Sequence, residues 1–122
     1  MRETLETARH VVPVAKAKIA ATVAFRSKKL MTGHNQAKTH PVAKRFGRNP
    51  DACYLHAEVD ALYKASRLVS LHGADLYVAR AWKGGRAAMS RPCSGCQRAI
   101  KFFGVARVFY TIGPNEYGSI VT

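Results

Sequence analysis

Apolar residues along this chain change period several times, and each change marks an element. Leu5, Ala8, Val12, Ala15 and Ile19 recur at three- and four-residue spacing, which predicts a first helix that Pro13 must end or kink. From Ile19 to Phe25 the run is apolar with β-branched members, Arg26-Ser27-Lys28-Lys29 reads as a turn, and Leu30 to Asn35 returns. The pattern predicts a hairpin. Gln36 through Tyr54 carries Pro41, Gly47, Pro50 and many cations without sustained period, so it reads as a long loop with one short helical turn around Val42 to Phe46. The helical period returns at Ala57, Ala61, Leu62, Ala65, Leu68 and Val69, with His72-Gly73 as the stop. Leu76 to Trp82 reads as a strand and Lys83-Gly84-Gly85-Arg86 as a flexible connection. Ser94 and Gln97 have the spacing of a capping box, and Ile100 and Phe103 continue a helical face until Gly104 ends it. Val105 to Ile112 reads as a strand, Gly113-Pro114-Asn115-Glu116 as a turn, and Tyr117 to Thr122 as a final antiparallel strand. The sum is an α/β layer structure.

Composition narrows the class without naming a reaction. With 122 residues and 48% hydrophobic content, residues 1–122 are expected to form one globular domain with one core. No continuous apolar run is long enough to span a membrane, and Met1-Arg2-Glu3-Thr4 lacks the basic-then-apolar order of a secretory signal. The expected location is the cytoplasm, with no membrane partner. Of three cysteines, two share one motif, which leaves Cys53 over and provides no disulfide framework. The formal charge of +13 is spread over several segments rather than gathered in a tail. Such a body attracts phosphate-bearing molecules, whether free nucleotides or nucleic acid, although a solvated surface that keeps the protein soluble explains the same count.

Two short motifs carry the chemistry: His56-Ala57-Glu58, and downstream Pro92-Cys93-Ser94-Gly95-Cys96. Cys93 and Cys96 are two residues apart across a glycine and can grip one Zn²⁺ from a single turn, with His56 as a third protein ligand and the fourth position open. Two thiolates balance the charge of the ion, and zinc lowers the pKa of water there toward about 7. Glu58, two positions after His56 in the first turn of a helix, can reach that water as a proton shuttle. The cysteines fall at a helix start, where backbone N–H groups and the positive dipole end stabilise thiolates.

The arrangement resembles the zinc-dependent cytidine and deoxycytidylate deaminase superfamily, in its H-A-E and P-C-x-x-C motifs and in Gly33-His34-Asn35 closing a strand before the His56 helix. The resemblance implies a three-layer, cytidine deaminase-like α/β domain with a mixed five-stranded sheet and about three helices. It also implies hydrolytic removal of the amino group from C4 of a cytosine or C6 of an adenine, with release of ammonia. Glu58 would protonate the ring nitrogen and then the departing amine. A cytosine nucleoside or nucleotide, such as cytidine, deoxycytidine or their monophosphates, is the expected substrate, with Zn²⁺ as cofactor. Asn35 and the backbone N–H of Ala57 would contact it, and relatives ending in a hairpin suggest a homo-oligomer.

Duller readings stand beside each assignment. Asn35 also suits a plain strand-to-loop turn. Trp82, Tyr54 and Phe46 could stack on a ring, but core burial is the usual use of aromatics. Cys53 and His56 share the two-residue gap of Cys93 and Cys96, so a closed Cys₃His structural site is arithmetically available. Two other functions therefore stay open: deamination of a base in single-stranded DNA or RNA, and a non-catalytic zinc-stabilised nucleic-acid-binding module.

Overall fold

The computed structural model describes residues 1–11, 18–26, 28–36 and 55–122. Among these it has three helices, α1 (Arg2–Arg9), α2 (Ala57–Ser66) and α3 (Ser94–Phe102). Its strands are β1 (Lys18–Phe25), β2 (Lys28–His34), β3 (Asp75–Ala81), β4 (Ala87–Ala88), β5 (Arg107–Gly113) and β6 (Glu116–Val121). They form one sheet in the order β2-β1-β3-β5-β6, with the two-residue β4 paired to β3 off that path. Only β3 and β5 run parallel. A parallel pair needs a long crossover, and the chain supplies it through α3. The five strands of the main path and the three helices match the expected mixed α/β layout, and β6 pairs antiparallel with β5 as the turn signal at Gly113-Pro114 requires.

Alternation along β1 shows how the layers form. Ala21 and Val23 point into the larger core, where they meet Leu76, Val78, Val108 and Tyr110 of the sheet beneath Val59 and Leu62 of α2 and Ile100 of α3. Ala20, on the opposite face, joins Ala79, Ala81 and Ala87 against Leu5 and Ala8 of α1. The period of two thus puts two helices on one face and one on the other. Alanine on that second face lets α1 lie close to the sheet, at the cost of little apolar area. Leu62 is fully buried in the larger core, so its truncation to alanine should cost about 2–5 kcal/mol. The helix α2 itself is built from good formers, with Glu58 and Asp60 in its first turn and Lys64 in its last, the sense that complements the helix dipole.

The structure corrects several boundaries. The first helix stops at Arg9, before Pro13, and Ile19 belongs to β1, where strand pairing overrides its helical spacing. Residues 12–17 lie outside the described segments, as do residues 37–54 of the predicted loop, with its turn around Val42 to Phe46. The second strand starts at Lys28 rather than Leu30, because Arg26 adopts a positive φ of 47° that makes the hairpin turn tighter. The helix α2 ends at Ser66, not at His72-Gly73. Leu68 and Val69 are exposed because Leu71 and Ala74 fill the adjoining core instead. The connection at Lys83-Gly84-Gly85-Arg86 is a hairpin turn, in which Gly85 N–H donates to Trp82 O at 2.8 Å with φ of 89°, and it delivers the unforeseen β4. Cys93, not Ser94, is the N-cap of α3, and Gln97 Nε2 donates to Pro92 O at 2.9 Å instead of closing a capping box. Trp82 is 51% exposed rather than in the core, with the Arg80 guanidinium 5.0 Å from its ring. Tyr54, Phe46 and Cys53 lie outside the described residues.

Candidate metal and catalytic site

Two helix starts meet at the edge of the larger core. His56 is the N-cap of α2 and Cys93 the N-cap of α3, both with extended backbone and neither spending its side chain on a capping hydrogen bond. Cys96 follows in the first turn of α3 and is buried. His56 Nδ1 lies 3.2 Å from Cys96 Sγ and 3.6 Å from Cys93 Sγ. All three ligand atoms lie within 4.8 Å of one another. A tetrahedral zinc, with Zn–S near 2.3 Å and Zn–N near 2.0–2.1 Å, sets its ligands roughly 3.6–3.8 Å apart. The cluster is therefore already close to the size of a zinc coordination shell, and two sulfurs with one imidazole are the donors zinc takes.

The electrostatics agree with that fit. The Cys93 thiol is held far below its usual range, first by the hydrogen bond from Cys96 and then by His56. The same bond, together with burial, pushes Cys96 up. Both sulfurs sit at one helix start, and a divalent cation bound there would take them as thiolates. Glu58 lies one residue into α2 with only 5% of its surface exposed. Burial raises its carboxyl pKa, against the opposing influence of its own backbone N–H and of His56. A buried acid thus sits two residues after His56, beside the three-atom cluster.

The other two expected site residues lie at the start of α2 and just after β2. Ala57 is the first residue of α2 and fully buried, and its N–H is one of the donors that a helix start leaves without an intrahelical acceptor. Asn35 follows β2 and is 7% exposed. Its Oδ1 accepts the Ile19 N–H at 3.0 Å, so the strand-to-loop role is real, and any role toward substrate would fall to the amide donors of Nδ2. Trp82 lies on the surface next to Arg80 and takes no part in the cluster.

The family model for the cytidine and deoxycytidylate deaminase zinc-binding region matches residues 1–112. The chain belongs to this family. It is accordingly a zinc-dependent hydrolytic deaminase, with His56, Cys93 and Cys96 positioned to hold the metal. Two crystal structures of the dCMP deaminase from the cyanophage S-TIM5 share its fold. The apo form is 25% identical with a TM-score of 0.62, covering 89% of this chain and 79% of that one. The form in complex with dCMP and dUMP is 23% identical with a TM-score of 0.57, covering 89% and 78%. No curated protein matches the chain in sequence.

Around the deaminase site stand residues that the sequence patterns did not single out. Ser90, just before the Pro92-Cys93 turn, accepts the Thr111 N–H at 2.8 Å and reaches Val78 O at 3.0 Å. Thr111 Oγ1 in turn donates to Ala88 O at 2.6 Å. On the other side, Gln36 and Leu55 exchange two backbone hydrogen bonds, of 2.9 and 3.0 Å, immediately before His56. Asp60, 4% exposed, accepts three donors on one carboxylate oxygen: His34 N at 3.1 Å, Gln36 Nε2 at 3.0 Å and Lys64 Nζ at 3.1 Å. One signal was available for Asp60, an acid one helical turn after His56 among small apolar residues. Nothing in the hydrophobic pattern marks Ser90 or Thr111. Arg91 lies over the Tyr110 ring, 5.9 Å from its centroid, with Nη1 3.4 Å from the phenol oxygen.

Proposed function

We propose that this deaminase acts on the cytosine ring of a nucleoside or nucleotide, replacing the C4 amino group with a carbonyl and releasing ammonia. The observation that carries this reading is the joint placement of His56, Cys93 and Cys96 within one coordination shell, with the buried Glu58 against it. Zinc held by those three residues supplies Lewis acidity that brings the pKa of water from 15.7 toward about 7. Glu58 would serve as the proton carrier of the reaction, holding a proton for the ring nitrogen and then one for the departing amine. The Ala57 N–H and the Asn35 amide would hold the ring carbonyl and the sugar, which fixes the reacting carbon opposite the metal.

Two features favour a phosphorylated substrate. The chain carries a net formal charge of +13, and Arg91, two residues from Cys93, lies over the ring of Tyr110 in the middle of β5. A guanidinium so placed can take a phosphate in bidentate fashion. The likeness to a dCMP deaminase crystallised with dCMP and dUMP lends the monophosphate further support. The same charge favours a second reading, deamination of a base in a single strand.

A substrate panel tests both. Uracil or hypoxanthine formation would be followed from cytidine, deoxycytidine, their monophosphates, adenosine and a short single-stranded oligonucleotide at fixed salt. Turnover of the free cytosine compounds, fastest for the monophosphates and slowed by Arg91→Ala in KM, is the expected result. Turnover confined to the oligonucleotide would overturn it.

A further inference from the structure

The end of β2 meets α2 at a joint with almost no slack. An ideal Cβ built on Gly33 would lie 2.5 Å from Ala61 N, 2.8 Å from Asp60 Oδ2 and 2.9 Å from Ala57 O. No side chain fits there, so the strand backbone rests directly on the first turn of the helix that starts at the metal ligand. Asp60 fastens that contact from the helix side. A single oxygen of its buried carboxylate collects His34 N–H, the Gln36 amide and the Lys64 ammonium. Two of those donors come from residues that bracket Asn35, and Gln36 is tied by its backbone to Leu55, the residue before His56. Asn35 is itself pinned to Ile19 on the neighbouring strand by bonds of 3.0 and 3.1 Å.

We infer that Asp60 is a positioning residue for substrate: it sets the distance between the strand end that presents Asn35 and the helix start that presents His56 and Glu58. The reasoning is geometric. Asn35 and the zinc-holding groups lie on different elements, and a ligand that bridges them is bound well only if their spacing is fixed beforehand. Cys93 and Cys96 come from the start of α3, a different element from the two that meet at the joint, so loosening it should move the substrate-holding side more than the metal. Charge-assisted bonds to a buried carboxylate are stronger than neutral ones, and three on one oxygen concentrate the control in one side chain. This inference rests on the proposed contact between Asn35 and substrate.

The test compares Asp60→Ala with Asp60→Asn, assayed on deoxycytidine monophosphate and on cytidine, with bound zinc counted in each variant. Asp60→Ala should raise KM on the order of tenfold, a loss of binding common to ground and transition states, while kcat and zinc content stay within about twofold. Asp60→Asn keeps an oxygen for the donors and should recover most of the loss. Gln36→Ala removes one of the three bonds without disturbing the helix, and should raise KM by a few-fold even if Asp60→Ala folds poorly. A fall in thermal stability with KM unchanged in all three variants would overturn the inference and leave Asp60 as a structural acid. Asn35→Asp separates the two assumptions, since it retains the acceptor for Ile19 N–H but lacks the amide donors. Unchanged KM in that variant would refute the Asn35 contact itself, and unchanged KM in the Asp60 variants alone would refute the joint.

Discussion

The two arms of the metal cluster are secured by different chemistry. The cysteine arm enters through Ser90, whose hydroxyl sits in a closed set of neutral bonds with Thr111, Val78 O and, through Thr111, Ala88 O. All of these groups are buried, and the load is spread over two side chains and several backbone atoms of β3, β4 and β5. The histidine arm instead depends on one charged oxygen, that of Asp60, and on one missing side chain, that of Gly33. A distributed neutral network resists small shifts at every point. A concentrated ionic joint can be loosened by one substitution, and the loosening is felt where substrate enters rather than where metal sits.

Changes to the shared centre should have the largest effects, and they act on both arms alike. Cys93→Ala or His56→Ala should abolish stoichiometric zinc binding and reduce turnover to background, as read by metal analysis of the purified protein and by ammonia release. Prolonged dialysis against a chelator should do the same to the unmodified chain, and added zinc should restore it. Glu58→Gln divides chemistry from metal. It should keep one zinc per chain while kcat falls by about 10²–10⁴-fold, and undiminished turnover would remove Glu58 from its proposed role.

Smaller changes sharpen the contrast between the arms. Ser90→Ala leaves the Thr111 N–H and neighbouring buried polar atoms without their partner, which costs about 1–3 kcal/mol of stability in urea unfolding. Because the lost hydroxyl also steadies the turn into Cys93, zinc affinity in chelator competition should fall by roughly 10–100-fold. KM at saturating zinc should hardly move. That is the opposite signature to Asp60→Ala, in which KM moves and zinc does not. A variant on either side that showed both signatures would mean the two arms are one mechanical unit.

Much of this site could be read before any fold was known, for a reason specific to its residues. His56, Glu58, Cys93 and Cys96 are fixed by ligand chemistry to short spacings, and each spacing falls within one helix start, so sequence distance and spatial distance agree. The strands were legible for a similar reason: β1, β3 and β5 are runs with one or two buried faces, and the turn before β6 has its own residue code. What escaped were features whose partners lie far along the chain. Asp60 earns its meaning from Gly33 and Gln36, and Ser90 from Thr111, pairs that no local pattern brings together. Trp82 was misread because aromaticity alone does not say which side of a strand end faces solvent, and here Arg80 shields the ring on the surface instead. The first helix ran too long on paper because alanine-rich spacing is compatible with both periods. Once β1 pairs with β2 and β3, its ladder bonds outweigh that weak helical preference.

The smallest expected effect belongs to Cys53→Ser, and it tests whether the site is open. If Cys53 were a fourth ligand, three thiolates would surround the ion, no position would remain for water, and loss of one sulfur would weaken binding and change the metal's spectrum. With His56, Cys93 and Cys96 as the ligand cluster among the described residues, serine at position 53 should leave zinc content, kcat and KM unchanged. Cobalt substitution gives the sharper readout, because each cobalt–thiolate bond adds intensity to the charge-transfer band. Equal intensity in the parent chain and the Cys53→Ser chain means two sulfurs in both. A drop in the variant would close the fourth position with sulfur, and hydrolysis at that metal would have to be abandoned.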